Sequence, residues 1–419
     1  MDFAEAARFS NACGAYETTI EACRIGLARD PGHALLHVYR ACAYDDLGRL
    51  DEAVADCEAA LRIEPRGHTA VLALITLALL RERLGDPGAA LAAARAAIAL
   101  EPAEREAHAA LGTLLAWHGD YAAAWPELEC HWLDERLQFR RRFADLTEWN
   151  GEDIAGRRLL LVHGQGLGDL LQMIRYAPRL AERGAHVLLE CAAPVVELLR
   201  SVTGIAEIVP KGEIARERFD AFARVMTLPR LCGEDGTPGR WERPYLTAPS
   251  ERVALWAPRL PACVSGVRVG LAWAGNPNHP NDRRRSLPVA ELAPLAAAGG
   301  VRWCSLQVGP RAGDALPGGL APDRFEAQIR DLADTAAIVA QLDLVITVDT
   351  GVAHLAGALG VPVWLLLPWR PDWRWSRAAT STFWYSSMRL FHATGPDWKP
   401  VVEDVAAALR AFAAHPPAA

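Results

Sequence analysis

The sequence has no surplus of positive charge: 44 lysines and arginines face 51 acids, for a formal net charge of −7. That balance argues against nucleic acid as a partner, since neutralising phosphates needs a basic field, and clustered arginines read better as a local anion site. No two of the nine cysteines, at 13, 23, 42, 57, 130, 191, 232, 263 and 304, stand three residues apart, and their number is odd. A CxxC redox or zinc-ribbon pattern is therefore excluded, and the thiols are expected as small buried hydrophobes in a reducing compartment. The first ten residues, MDFAEAARFS, carry acids where a signal peptide has basic residues, and they lack its apolar core. Long hydrophobic runs are missing too. Residues 350–369 have no Asp, Glu, Lys or Arg, but His354, three glycines and Pro362 divide them into two short elements. A cytoplasmic protein without a transmembrane segment is expected. No clustered carboxylate or histidine pattern suggests a divalent metal, so neither metal nor cofactor is expected.

What is present is ample apolar material, 51% hydrophobic against 23% charged residues, enough for several packed cores. At about 100–200 residues per domain the length suggests roughly two to four. The N-terminal third is repetitive. Gly14, Gly48, Gly85 and Gly119 are spaced by 34, 37 and 34 residues, and Pro31, Pro65 and Pro102 by 34 and 37, each proline after an acid. In the best unit Gly48 permits a tight turn between antiparallel helices, Ala53 and Ala60 let them approach closely, and Pro65 ends the second. This pattern resembles the tetratricopeptide repeat, about three and a half units over residues 1–135.

Residues 136–156 read as a linker, with the run Arg140, Arg141, Arg142 as a solvated helix face. From Arg157 short apolar runs alternate with helices, the texture of a parallel α/β sheet. Strands are predicted at 159–162, 186–190, 207–209 and 221–225, and after a Pro-rich stretch at 258–261 again at 267–273, 301–306, 344–348 and 363–367. Helices are predicted at 170–183 and 401–412. The domains are thus a repeat array at 1–135, Rossmann-like lobes at 157–260 and 261–400, and a C-terminal helix at 401–415.

Three segments carry chemistry. His163, Gly164, Gln165, Gly166, Leu167, Gly168 and Asp169 leave a buried strand and open a helix, so that backbone amides can approach an anion. Asp169 there equally suits a simple helix-start carboxylate. Residues 276–286, with Asn276, Arg283, Arg284, Arg285 and Ser286, form a loop after a strand whose arginines can neutralise a diphosphate, or be only a solvated charge run. At 345–362 a strand ends in Asp349, Thr350 and Gly351 turn the chain, and a small-residue helix follows. Its first amides, at Thr350, Gly351 and Val352, point at an anion, with His354 one turn in, either functional or simply packed.

The segment 349–362, DTGVAHLAGALGVP, resembles the donor-site signature of the heptosyltransferase family (glycosyltransferase family 9), and GQGLGD at 164–169 is similar to its first glycine loop. Further matches are QMIRY (172–176), GLAWAGNP (270–277), RRRS (283–286), SLQ (305–307), DLADTAA (331–337) and PDWRW (371–375). Residues 149–398 are similar to bacterial proteins that join tetratricopeptide repeats to such a domain. The resemblance implies a GT-B-type pair of Rossmann-like lobes and an inverting transfer from a nucleotide-sugar donor. It implies Asp169 as base on the acceptor side. For the donor it implies Gly166, Gly168, Asn276, Arg283, Arg285, Ser286, Gln307, Asp349, Thr350, Gly351, Val352 and His354. The acceptor is expected to be a protein or glycan, with the repeats offering a concave peptide-binding surface. The sequence departs from the family at Gly164, where an acid is expected, and at 376–387, which lacks the family's charged stretch and tyrosine-proline. Two other classes fit parts of the chain. One is a catalytically inactive repeat scaffold. The other is a dinucleotide-dependent oxidoreductase using the glycine loop and Glu190, which leaves the turn at Asp349 unexplained.

Overall fold

Gly14, Gly48, Gly85 and Gly119 all adopt positive φ, 73°, 77°, 80° and 81°. Each closes a helical hairpin, because a Cβ in that left-handed conformation is costly. The computed structural model describes residues 2–212, 218–233, 243–260, 263, 266–279, 281–377 and 379–415; Pro261 and Pro280, which fall in two stretches singled out above, lie outside these. The hairpins are built from α1 (Phe3–Ala12) and α2 (Tyr16–Arg29), α3 (Ala34–Asp46) and α4 (Leu50–Ile63), α5 (His68–Arg83) and α6 (Pro87–Leu100), and α7 (Arg105–Trp117) and α8 (Tyr121–His131). The short helix α1 makes the first, partial unit a full pair. Second helices stop at Arg29, Ile63 and Leu100, each followed by an acid with φ near −130°, ahead of the proline that cannot continue a helix. Small buried residues hold the array: Ala41, Ala53, Cys57 and Leu80 form one cluster, and Ala34, Val38, Ala60 and Ala73 another.

The chain divides into two compact units, Met1–Asp134 with Asp372–Ser376, and Glu135–Pro371 with Arg377–Ala419. In the first, Trp373 meets Trp125 edge-on, with ring centroids 5.3 Å apart. The Trp117 indole donates to the Asp372 carbonyl at 3.2 Å. PDWRW is thus largely a structural piece of the repeat unit.

The second unit holds two parallel sheets. One comprises β1 (Thr147–Glu148), β2 (Arg158–Val162), β3 (His186–Cys191), β4 (Ile205–Pro210) and β5 (Ala221–Arg224), in the order β1-β5-β2-β3-β4. The other comprises β6 (Val267–Ala272), β7 (Val301–Ser305), β8 (Asp323–Arg324), β9 (Leu344–Val348), β10 (Val363–Leu367) and β11 (Met388–His392), in the order β11-β10-β9-β6-β7-β8. The protein is therefore a helical repeat array followed by two parallel-sheet α/β regions. The final helix, Lys399–Ala414, inserts Val401, Val402, Val405 and Leu409 into the second sheet's core.

The linker reading of 136–156 is corrected. A ninth helix, α9 (Leu133–Arg142), covers one face of the first sheet, where Phe139 and Phe143 join Leu160, Val162, Leu188 and Phe222 in its core. Nor are its arginines simply solvated. Arg142 grips Glu190 through two bonds of 2.6 and 2.7 Å, and Arg136 and Arg140 reach Glu148 at 3.1 and 2.8 Å. Charge on the helix hides it from a hydrophobicity reading. Phe139→Ala is expected to cost about 3–5 kcal/mol, the usual range for emptying a buried aromatic site, seen as an earlier urea midpoint of this unit. The exposed neighbour Gln138 should tolerate alanine; equal midpoints for the two variants would remove α9 from the core.

The predicted helix at 170–183 begins earlier and is broken, running through Leu167–Met173 (α10), a 3-10 turn and Ala177–Glu182, with Pro178 in the first turn of the last piece. The cysteines are mixed: Cys23, Cys57, Cys191 and Cys304 are buried, whereas Cys13 and Cys130 are exposed. Burial pushes the Cys304 thiol up to about 12, an inert form.

Candidate functional site

In a doubly wound sheet the crevice lies beyond the strand C-termini, where the chain reverses its direction of winding. In the first sheet β3 and β4 extend to one side of β2 and β5 lies on the other; in the second, β7 and β8 extend to one side of β6, with β9, β10 and β11 on the other. The loops that leave β2, β6 and β9 therefore occupy the switch points, and they are the three segments singled out from the sequence.

Gly166 is the N-cap of α10, and Asp169 lies in the first turn. Its carboxylate folds over the loop, with Oδ2 3.3 Å from where a Cβ on Gly166 would stand. At Gly168 a Cβ would come within 2.6 Å of His354 Cδ2, so only glycine lets the second lobe's histidine reach this loop. Gly351 closes the same approach: its β position is 4.0 Å from the Gly168 amide nitrogen and 3.8 Å from Leu167 Cδ2. The helix Gly351–Leu359 starts there. Its N-cap Thr350 is extended and makes no side-chain cap bond, which leaves the amides of Gly351 and Val352 in the position that favours an anion. Asp349, on the turn before it, has Oδ1 3.8 Å from His354 Nε2.

His354 is 5% exposed, and its Nδ1 lies 3.0 Å from the Tyr385 hydroxyl. Tyr385 stacks against Arg175, whose guanidinium is 4.5 Å from the ring centroid. Arg175 is fully buried and donates to the carbonyls of Gln172 and Trp384 and, at 2.9 Å, to the Tyr245 hydroxyl. Sequence reasoning missed Arg175, Tyr245 and Tyr385, although QMIRY contains the first and the departing stretch 376–387 the last. A tyrosine that ends the aromatic run Phe383, Trp384, Tyr385 gives no signal of what it will face.

The loop after β6 is held by side chains also expected at the donor. Ser286 accepts from the Gly275 amide at 2.9 Å and donates to Asp282 at 3.0 Å. Gln307 accepts from the amides of Trp273 and Ala274 and donates to the carbonyls of Ala274 and Val308. Those four bonds exhaust its amide, which corrects the reading of Gln307 as a sugar or nucleotide ligand; it ties strand ends together, as buried Ser286 ties the loop. Asn276 caps a local turn through the Asn278 amide at 3.0 Å. Arg285 is partly buried against Gly275, and Arg283 is exposed on the short helix Asp282–Arg285.

Glu190 is 3% exposed, takes both bonds from Arg142 and accepts from the Gly212 amide at 3.0 Å. It is thereby spent, which removes the ribose ligand that a dinucleotide site would use. Among the described residues the group able to hold a metal is His68, Glu101 and Glu104, on the repeat array. No helix there is long and apolar enough to cross a membrane.

Residues 34–66 match the tetratricopeptide repeat family, and residues 330–366 match Glycosyltransferase family 9 (heptosyltransferase). The chain is 29% identical over 409 residues to Protein FlbA of Caulobacter vibrioides, an alignment covering 90% of this chain and 61% of that protein. The chain thus spans about three fifths of the length of this curated relative. Among solved structures, a glycosyl transferase family 9 protein from Veillonella parvula shares 11% identity at a TM-score of 0.43, covering 58% of this chain and 88% of its own. A thermophilic tetratricopeptide repeat protein of Thermus thermophilus shares 23% identity at a TM-score of 0.30, covering 34% and 78%. The chain thus matches the tetratricopeptide repeat model within its helical array and the glycosyltransferase family 9 (heptosyltransferase) model within its second parallel sheet.

Proposed function

We propose that the protein is a nucleotide-sugar-dependent, inverting glycosyltransferase, and that its repeats recruit the acceptor, a protein in the favoured case. The observation that supports this most is the meeting of two helix starts at two switch points, with Gly168 and Gly351 in close approach between Asp169 and Asp349. In the proposed reaction an acceptor hydroxyl attacks the anomeric carbon and gives its proton to Asp169. The bond from that carbon to the donor's phosphate oxygen breaks, and the nucleotide (a nucleoside diphosphate, or CMP where the donor is a CMP-sugar) leaves with the electron pair. The amides opening the helix Gly351–Leu359, with Arg283 and Arg285, take up its charge. The reading uses no divalent metal and no resident cofactor. The glycosyltransferase family 9 match at 330–366, which spans Asp349 to His354, supports the donor assignment.

Thermal shift of the full chain with UDP, ADP, GDP, CMP and NAD tests this. A ligand at about 100 times its Kd stabilises by about 2.7 kcal/mol, so one nucleotide should raise the melting temperature clearly. A rise with NAD alone, or with none of the five, would sink the proposal.

A further inference from the structure

The glycine loop 163–168 receives a carboxylate from outside its own lobe segment. Glu135, in the first turns of α9, accepts from the Gly164 amide at 2.9 Å through Oε1 and from Gln165 Nε2 at 2.8 Å through Oε2. The fit is close: a Cβ on Gly164 would stand 2.7 Å from Oε1 and 2.8 Å from Glu135 Cγ. Glycine at 164 is thus the space Glu135 occupies, as glycine at 168 is the space His354 occupies. Glu135 is partly buried, and burial pushes its carboxyl above the usual carboxylate range, against the bonds from Gln165 and Gly164 and the charge of Arg224, with Asp169 adding to the rise. Holding an acid in such surroundings is costly even with two hydrogen bonds, and what those bonds fix is the path of the glycine loop.

We propose that Glu135 is a positioning residue of this site: its carboxylate clamps Gly164 and Gln165 so that the loop holds Asp169 at the reacting hydroxyl. The inference rests on the transferase reading above and adds a residue outside the sequence motif. Loop and base are adjacent in the chain, so a loop freed at Gly164 lets the start of α10 shift; a 1 Å misplacement can cost about 10²-fold in rate. Arg224 reinforces the arrangement from β5, where it is 1% exposed and bonds Glu148 at 3.1 Å.

Two variants of the full chain test the clamp from opposite sides. Glu135→Gln keeps the size but sets an amide nitrogen where Gln165 Nε2 or the Gly164 amide needs an acceptor. Gly164→Ala leaves Glu135 intact and displaces it. Both are expected to speed amide hydrogen exchange in the segment 161–170 without changing exchange in β6 or β9. Both should also lower kcat by roughly 10²-fold, with KM unchanged, for whichever UDP-, GDP-, ADP- or CMP-sugar the native chain consumes. Native exchange in 161–170, or native kcat, in both variants overturns the clamp. A parallel rise in KM with kcat intact overturns it too, since that places Glu135 on the donor. If the native chain consumes none of these donors the transferase reading fails, and the exchange measurement alone decides whether Glu135 holds the loop.

Discussion

Asp169→Asn is expected to abolish sugar transfer while nucleoside diphosphate affinity stays near that of the native chain. Asn has the same shape, and Asp169 lies in the first turn of α10 with its carboxylate over Gly166, so the loop should keep its path. What the amide cannot do is accept a proton. A positioned general base contributes typically about 10²–10⁴-fold in rate, and the loss should fall within that span. In the proposed reaction the nucleotide is held by the other lobe's helix start and arginines, which the substitution leaves alone. The decisive comparison is turnover of the donor beside the thermal shift given by its nucleotide. Near-native turnover would take Asp169 out of the mechanism. Loss of turnover together with loss of the thermal shift would mean that the residue shapes the loop instead.

The repeat array was legible because its punctuation is local. A glycine that must adopt positive φ and a proline that must end a helix act within a few residues, and both ladders mark hairpins in the structure. The buried strands were legible for a similar reason: 363–367 is a continuous apolar run and 344–348 is one but for Thr347, as suits strands covered on both faces. Helix α9 was not, because its packing rests on Phe139 and, just past its end, Phe143, while Arg136, Arg140 and Arg142 carry charge for Glu148 and Glu190. Strand β11 was missed within MRLFH, where arginine and histidine interrupt the apolar run.

The site divides in the same way. Segments where backbone conformation does the work, Gly166 to Asp169 and Asp349 to Gly351, announce themselves through glycine and the turn residues. Residues that act across the fold, Glu135 on Gly164, Tyr385 on His354 and Arg175 on Tyr385, have no sequence neighbour that implies them. Gln307 shows the converse. Its type and place suggest a ligand, but two backbone amides and two carbonyls already use all of its hydrogen-bonding capacity.

Replacing Arg283 and Arg285 together by alanine is expected to weaken nucleoside diphosphate binding by about 10²–10⁴-fold, the effect of losing two charge-assisted bonds of about 1.5–3 kcal/mol each. The loop that carries them is anchored independently of their charge, through Ser286 between Gly275 and Asp282 and through Gln307 on Trp273 and Ala274. It follows β6, next to β9 at the second sheet's switch point, so a diphosphate at the start of Gly351–Leu359 lies on the side of the sheet where the arginines emerge. The free nucleoside, lacking the phosphates, should bind the variant nearly as it binds the native chain. Raising ionic strength should weaken diphosphate binding to the native chain more than to the variant, since screening acts on charges the variant lacks. The unliganded melting temperature serves as the folding control, because Arg285 also bonds Asp282 at 3.4 Å. Equal losses for nucleoside and nucleoside diphosphate, with that temperature unchanged, would reduce the arginine run to a solvated face and leave the helix start at Gly351 as the sole anion site proposed for the donor.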